Sequence, residues 1–286
     1  MAKIHLFETR RIPEAERLRG MGVETLSPLA RAGRWRRTMP HVDTHAVLLW
    51  IVRGQGRLIV EGCATNYGPG TLAVIPARTP FLVSYGAVTE GTLVRWPELF
   101  EAPLPERPVR IRLTDVGTQA ELSGLLDKLA RRGDLSDAPS GRAALGRIIL
   151  LSALVERESH RAAAIAPVGD AAERAARFVY AVEAVLPHGA SLEAALGRCG
   201  DESDAVDAAL AESGGGLSAA AYREARVMRE ARRRLADTED GVQAVAHDLG
   251  FASASALDDA FERDAKMTAG AFFDAERRIA ALHRAG

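Results

Sequence analysis

The sequence predicts an α+β chain of two domains: a strand-rich barrel with appended helices, then an all-helical half built on a repeated helix-turn-helix. Three observations predict it. Short runs rich in Val, Ile, Leu and Thr fill residues 45–96, and the apolar period lengthens to that of helices from about Asp115. Beyond Pro167 a short helix, a glycine turn and a second helix occur twice, with one long helix between the copies.

In chain order, HAVLLWIV, RLIVEG, TLAVIP, FLVSYG and TLVRW read as strands. Gly54-Gln55-Gly56 separates the first two as a hairpin turn would; Gly68-Pro69-Gly70 and Ala77-Arg78-Thr79-Pro80 separate later ones. Many short strands without intervening helices predict a barrel or sandwich. TQAELSGLLDKLARR then places Leu122, Leu125, Leu126 and Leu129 at helical spacing, and RAALGRIILLSALVERE does so with Leu145, Ile148 and Ile149. The second half opens with DAAERAARFVYAVEAVL, stopped at Pro187-His188-Gly189, and continues with a short helix from Ser191 to Gly200. A helix within Asp204–Ser213 closes on Gly214-Gly215-Gly216, and a long helix spans about Ala219–Ala236. VQAVAHDLG is short, and Ser253 or Ser255 opens the helix after it. These divisions give a barrel over 1–114, a helical linker or dimerisation region over 115–166 and a helical domain over 167–286.

With 286 residues and 47% hydrophobic content, the chain has material for two cores. It contains no run of eighteen apolar residues and its first twenty lack an apolar leader core, so the expectation is a cytoplasmic protein without a membrane span. Cys63 and Cys199 have neither a CxxC partner nor a neighbouring histidine, which argues against zinc and disulfide scaffolds. The net charge of −1 conceals an asymmetry: residues 1–166 carry 23 basic and 17 acidic side chains, residues 167–286 carry 14 and 21. Nucleic-acid-binding domains are ordinarily net basic, because neutralising phosphate supplies their non-specific affinity. The helical half has the opposite sign.

A helix-turn-helix needs a small residue where its helices cross and a turn residue that accepts positive φ, and Ala246 and Gly250 supply them. Val242, Val245 and Leu249 then form the inner face of one helix, Leu257 and Phe261 that of the next. The stretch RRRLADTEDGVQAVAHDLGFASASALDDAFERDAKMTAGAFF resembles the second helix-turn-helix of the AraC/XylS transcription regulators. The matching residues are Ala231, Arg232, Arg233, Leu235, Ala236, Asp237 and Thr238, then Val245, Ala246, Leu249, Gly250, Phe251, Ser255, Leu257, Phe261, Met267, Thr268 and Phe272. ARFVYAVEAVLPHGASLEAALGRCG is similar to that family's opening helix and first helix-turn-helix, and GLSAAAYREARVMREAR to its linker helix. The resemblance implies promoter DNA as partner. It departs from the family pattern at Asp259, Glu262, Lys266, Ala269 and Phe273. In the first copy Asp201, Glu202, Asp204, Asp207 and Glu212 stand where the family is rich in arginine.

Candidate DNA contacts are therefore Ser253, Ala254, Ser255, Asp258 and Asp259 in the second copy, Ser203, Asp204 and Asp207 in the first, and Arg226, Arg229 and Arg233 on the linker helix. The arginine stripe also suits a solvated face balancing Glu224 and Glu230. A second function remains open: a degenerate member that has lost DNA contact and binds another protein through an acidic surface.

In the first half, LLWIVRGQGRLIVEG and YGPGTLAVIPARTPF resemble the first hairpin and a later segment of the cupin-like sensory barrel found in that family. The resemblance implies a ligand-sensing domain. His41 and His45 lack metal-cupin spacing and Phe81 takes the last histidine's place, so neither metal nor enzymatic activity is expected, and no cofactor. Trp50, Tyr85, Arg95 and Trp96 are candidates to hold a small polar or acidic effector, with core packing the competing role for the tryptophans. Arg34, Arg36 and Arg37 around Trp35 suit an arm over the barrel or a solvated turn. Leu122, Leu125, Leu126, Leu129, Leu145, Ile148 and Ile149 suit either a homodimer or packing on their own barrel.

Overall fold

Strand β2 (Ala46–Arg53) explains the layering of the first half, because its side chains alternate between two cores. Val47, Leu49 and Ile51 point into the barrel interior with Leu58, Val60, Phe81 and Val83, while Leu48 and Trp50 point outward to a second apolar layer. The computed structural model describes residues 18, 20–26, 39–86, 88–99, 102–131, 138–160, 162–165, 167–189 and 191–285. The Arg34–Arg37 cluster lies outside the described residues.

The barrel is two sheets. One has the order β1-β7-β2-β5-β8-β9, with β1 at Gly22–Thr25, β5 at Thr71–Ile75, β7 at Glu90–Trp96, β8 at Val109–Arg112 and β9 at Ala163–Ala164. The other has the order β4-β3-β6, with β3 at Gly56–Val60, β4 at Cys63–Tyr67 and β6 at Phe81–Tyr85. Strand β2 pairs with β5 and β7, and β3 with β4 and β6. Gly54-Gln55-Gly56 is thus not the turn of a β2–β3 hairpin but the corner where the chain changes sheets. A Cβ at Gly56 would lie 2.2 Å from the Ser84 carbonyl oxygen, so only glycine fits there.

Helices α1 (Val116–Ala130) and α2 (Ala138–Ser159) cover the outer face of the larger sheet. Asp115 caps α1, its side chain accepting from Thr118 N at 2.6 Å. Leu122, Leu126, Leu129 and Ile148 are fully buried in one cluster with Leu48, Trp50, Leu72 and Trp96. Burial of such side chains is worth roughly 1.5–3 kcal/mol each, and here it is gained within one chain. The leucine stripe therefore belongs to the barrel's own core and not to a dimer seam. Leu125 and Leu145 are half-buried; of the dimerisation candidates only Ile149 is exposed, next to exposed Leu150.

The second half forms two helical lobes on one rod. Helices α3 (Asp170–Val185), α4 (Leu192–Cys199) and α5 (Ser203–Glu212) enclose Phe178, Val182, Ala195, Val206 and Leu210. The rod, α6 (Ala219–Asp237), contributes Ala219 and Tyr222 to that lobe, and Val227, Met228, Ala231 and Leu235 to the next. There they meet α7 (Val242–Asp248), α8 (Ala254–Ala265) and α9 (Ala269–Ala285). Ser191 caps α4 and Ser253, rather than Ser255, caps α8. Ala246 is buried and Gly250 has φ +78, as the turn requires. Gly250 has a second constraint, because a Cβ would lie 2.4 Å from the Gly189 carbonyl oxygen in the other lobe.

Gly250→Ala therefore meets backbone strain and a collision at the lobe junction together, and should destabilise by roughly 1–3 kcal/mol. Urea unfolding checks this: the midpoint falls while the slope is retained.

Candidate functional site

The second helix of each helix-turn-helix presents one face to solvent because the other is fixed in the core. In α8 Leu257, Ala260 and Phe261 turn inward, so Ser253, Ser255, Asp259 and Glu262 are exposed and Ala254 half-buried. In α5 Val206, Ala209 and Leu210 turn inward, leaving Glu202, Asp204 and Glu212 exposed and Ser203 half-buried.

Several acids in and just before these helices are engaged inside the fold. Asp258 Oδ1 accepts from Ala269 N at 2.8 Å and Gly270 N at 3.3 Å, at the start of α9. Asp207 Oδ1 accepts from Ala219 N at 2.6 Å, at the start of α6. The two lobes thus repeat one device: an aspartate on the recognition helix satisfies open N–H groups of the next helix, whose positive end favours a carboxylate. Asp201 pairs with Arg174 at 2.9 Å and Arg177 at 3.1 Å, and Asp264 with Arg232. Asp207 and Asp258, candidates for base contact, are capping residues instead.

Comparison with known proteins gives two family matches: residues 17–156 match the AraC-binding-like domain and residues 209–275 the helix-turn-helix domain. The chain is an AraC-like regulator. It has an N-terminal ligand-binding domain and a C-terminal helix-turn-helix DNA-binding domain. Among solved structures it is similar to ToxT from Vibrio cholerae O395 bound to (E)-4-(8-methylnaphthalen-1-yl)but-3-enoic acid, with a TM-score of 0.40, 12% identity, and 90% of this chain and 98% of that one covered. Unsaturated-fatty-acid-bound ToxT from Vibrio cholerae strain SCE256 gives 0.37 and 12%, covering 88% and 94%. The AraC-like transcriptional activator CuxR gives 0.21 and 14%, covering 85% and 68%. No curated protein sequence matches the chain.

The regulator's linker arginines do not form a free ridge. Arg226 is buried and chelated by Glu183, Nε to Oε1 at 2.7 Å and an Nη to Oε2 at 3.0 Å. Burial opposes its charge, but Glu183 and Glu230 more than compensate and hold its pKa above the ordinary value. Arg229 is also buried, so both are withdrawn from DNA contact; the half-exposed Arg233 leans on Glu230 at 2.6 Å. All three line a cleft of about 1010 Å³ between barrel and rod, facing His41, Asp43 and Arg95. Burial, reinforced by Arg229, pushes the His41 pKa well below its ordinary value of 6.5, so its imidazole is neutral in the fold. Its Nδ1 contacts the Met39 carbonyl oxygen at 2.8 Å.

The four effector candidates do not converge. Trp50 and Trp96 are core residues beneath α1 and α2, Trp50 Nε1 donating to Ser123 Oγ at 3.1 Å and Trp96 Nε1 to the Ala102 carbonyl at 2.9 Å. Arg95 lies in the interdomain cleft, bound to Glu24 at 2.5 Å and Asp43 at 2.8 Å, and Tyr85 packs at the edge of the barrel interior. That interior is filled by side chains from both sheets.

A smaller groove of about 550 Å³, which the sequence did not disclose, opens on the other side of the rod. Met39, Pro40 and Leu82 of the barrel domain face Leu217, Ala225, Met267 and Phe272 across it, with Arg232 and Asp264 as its charged groups. Arg232 is buried, its guanidinium 5.5 Å from the Phe261 ring centroid. Of its five N–H donors, contacts among the described residues go to Asp264 Oδ2 and to the Met39 thioether. Burial carries its pKa below the ordinary value, and Asp264 does not fully restore it. Among the described residues no group of three His, Cys, Asp or Glu side chains is placed to hold a metal ion, and no helix is long and apolar enough to cross a membrane.

Two outcomes follow. His41 must gain its proton on unfolding, so its contribution to stability is complete above pH 6.5 and declines as the pH falls below that value. Thermal melts between pH 7 and 5 should show a decline that His41→Gln reduces. Asp258→Ala should cost about 1 kcal/mol, whereas Asp258→Asn, which keeps an acceptor oxygen, should melt near the parent. A variant that weakened DNA binding without lowering the melting temperature would restore Asp258 to the DNA face.

Proposed function

We propose that the regulator answers a small monocarboxylic acid with an apolar body, bound in the groove at Arg232, and that it meets promoter DNA through the exposed ends of α5 and α8. The observation that carries this reading is a buried guanidinium, held among the described residues by one carboxylate oxygen and one thioether, at the wall of a groove that is apolar apart from Arg232 and Asp264. A carboxylate is the partner such a fork takes best, and the surrounding Leu82, Leu217, Met267 and Phe272 suit an alkyl or aryl body. ToxT has been solved with an unsaturated fatty acid bound, a ligand of that chemistry.

On the DNA side, Ser253 and Ser255 have hydroxyls suited to phosphate oxygens, Ala254 to close approach, and Asp259 to accepting from a cytosine amino group. Ser203 and Asp204 occupy the matching place in the first lobe. A protein that had lost DNA contact would need a broad acidic face; Asp201, Asp207, Asp258 and Asp264 are engaged, and the recognition helices and their caps expose Glu202, Asp204, Glu212, Asp259 and Glu262. We assign no catalytic role, place the regulator in the cytoplasm, and assign any self-association to the exposed edge of α2 at Ile149 and Leu150.

Fluorescence anisotropy of the full chain with labelled mixed genomic fragments tests both parts. Binding should weaken with salt, with a shallower slope than a basic recognition surface gives. Octanoate or phenylbutanoate should change the affinity severalfold while octanol does not, and Arg232→Gln should abolish that response. Absence of salt-sensitive binding would overturn the DNA contacts; binding indifferent to both acids would overturn the effector.

A further inference from the structure

Asp264 occupies a position that a helix by itself disfavours. It lies in the last turn of α8, where the negative end of the helix dipole repels a carboxylate. Its side chain is 42% exposed, yet it reaches across to Arg232 on α6, whose side chain is 6% exposed. The contact is through Oδ2, and among the described residues the guanidinium's other hydrogen-bond neighbour is the Met39 sulfur, a weak acceptor. Arg226, one and a half turns earlier on the same rod, shows what full compensation looks like: two carboxylate oxygens of Glu183 at 2.7 and 3.0 Å, with Glu230 nearby. Arg232 has one exposed carboxylate that can swing into water.

We propose that Asp264 is a built-in competitor for the effector: without ligand it holds Arg232, and an entering carboxylate displaces it and releases the last turn of the second recognition helix. This rests on the effector reading above. Two oxygens from a ligand make a better partner for the planar fork than the single oxygen of Asp264. Once displaced, Asp264 has little to replace the pair: its neighbour Arg263 faces Glu224 at 3.7 Å, and Lys266 Nζ donates to the Arg263 carbonyl at 3.3 Å. The helix end then carries an uncompensated carboxylate five residues beyond Asp259 and two beyond Glu262, on the element that presents Ser253 and Ser255. Ligand chemistry in the groove thereby reaches the DNA face without any long relay. The burial-lowered pKa of Arg232, beside the raised pKa of Arg226, fits a cation left short of partners.

Titration calorimetry of the full chain with octanoate, and separately with phenylbutanoate, tests the competitor. Asp264→Asn keeps the shape and removes the charge, and should bind either acid about tenfold more tightly than the parent. Arg232→Gln, and Arg232→Lys as the variant that keeps a charge in the core, should bind more weakly. In the DNA assay either acid should change the affinity of Asp264→Asn less than that of the parent, because the side chain it releases then carries no charge. Acid binding that Arg232→Gln abolishes but Asp264→Asn leaves unchanged would overturn the competitor and keep the effector site. Binding to none of the proteins would overturn the effector reading and this inference with it. A parent that does not bind while Asp264→Asn does would support the competitor directly.

Discussion

Helix α6 must serve as the wall of two lobes and the floor beneath a barrel, and the structure depends on how it buries charge while doing so. One side contributes apolar residues in sequence, Ala219 and Tyr222 to the first lobe, Val227 to Leu235 to the second. The sides facing the barrel carry Arg226, Arg229 and Arg232, all buried. Removing one partner of such a pair leaves an uncompensated buried charge and typically costs about 3–5 kcal/mol. Glu183 from α3, Glu230 from the rod and Asp264 from α8 are therefore parts of the lobe junction. Glu230 has three arginines around it; burial alone would raise its pKa, but Arg233 and Arg226 hold it below the ordinary carboxylate range. Each lobe is tied electrostatically to the rod, and the rod's arginines meet the barrel.

The same bookkeeping resolves the conflict between a DNA-binding motif and an acidic helical half. A count of charges treats every acid as a surface charge. In the fold, Asp207 and Asp258 terminate helices, and Asp201, Asp248 and Asp264 neutralise arginines of other elements. The arginines are spent equally, so the rod gains no positive ridge from Arg226 or Arg229. What the recognition helices leave exposed is a face with fewer free acids than the sequence count implies, with serine hydroxyls at its tip. Such a surface relies less on counterion release and more on positioning than a basic one does.

How much was legible in the sequence depended on the range of the interaction. The short Val-, Ile- and Leu-rich run AVLLWIVR, the Ser191 and Gly200 caps, and Ala246 with Gly250 are local, and they identified the strand, the helix ends and the turn. Strands β1, β4, β8 and β9 went unread because GVET, CATNY, VRIR and AA are short or polar and are strands only by virtue of their neighbours. Gly54-Gln55-Gly56 has hairpin composition, yet which sheet each flanking strand joins is a tertiary fact. Leucine spacing identified the helices α1 and α2 but not the surface they cover. Asp207 and Asp258 were legible as acids but not as caps, since each reaches an N–H group 11 or 12 residues away. Arg232 is one arginine among several in EARVMREARRR; its burial and its groove exist only once barrel and rod are docked.

Docking also accounts for the triple glycine after α5, where a helix stop alone needs one glycine. The small sheet lies against this turn: Ala64 N donates to the Ser213 carbonyl at 2.9 Å and Arg57 to the Gly214 carbonyl at 3.1 Å. A Cβ at Gly214 would come within 2.9 Å of the Ala64 Cβ, and one at Gly215 within 3.2 Å of the Leu210 carbonyl oxygen. Tyr180 of α3 adds a hydroxyl bond to Glu61 at 2.5 Å from the same hairpin. The barrel thus holds the first lobe by main-chain and glycine contacts that leave little room to slide. It holds the second lobe differently, through Met39 in that lobe's core and the groove at Arg232. The first attachment is tight and ligand-free in character; the second contains open volume and an under-compensated cation. Of the two lobes, the second is the one whose tie to the barrel a small molecule has the space and the chemistry to alter.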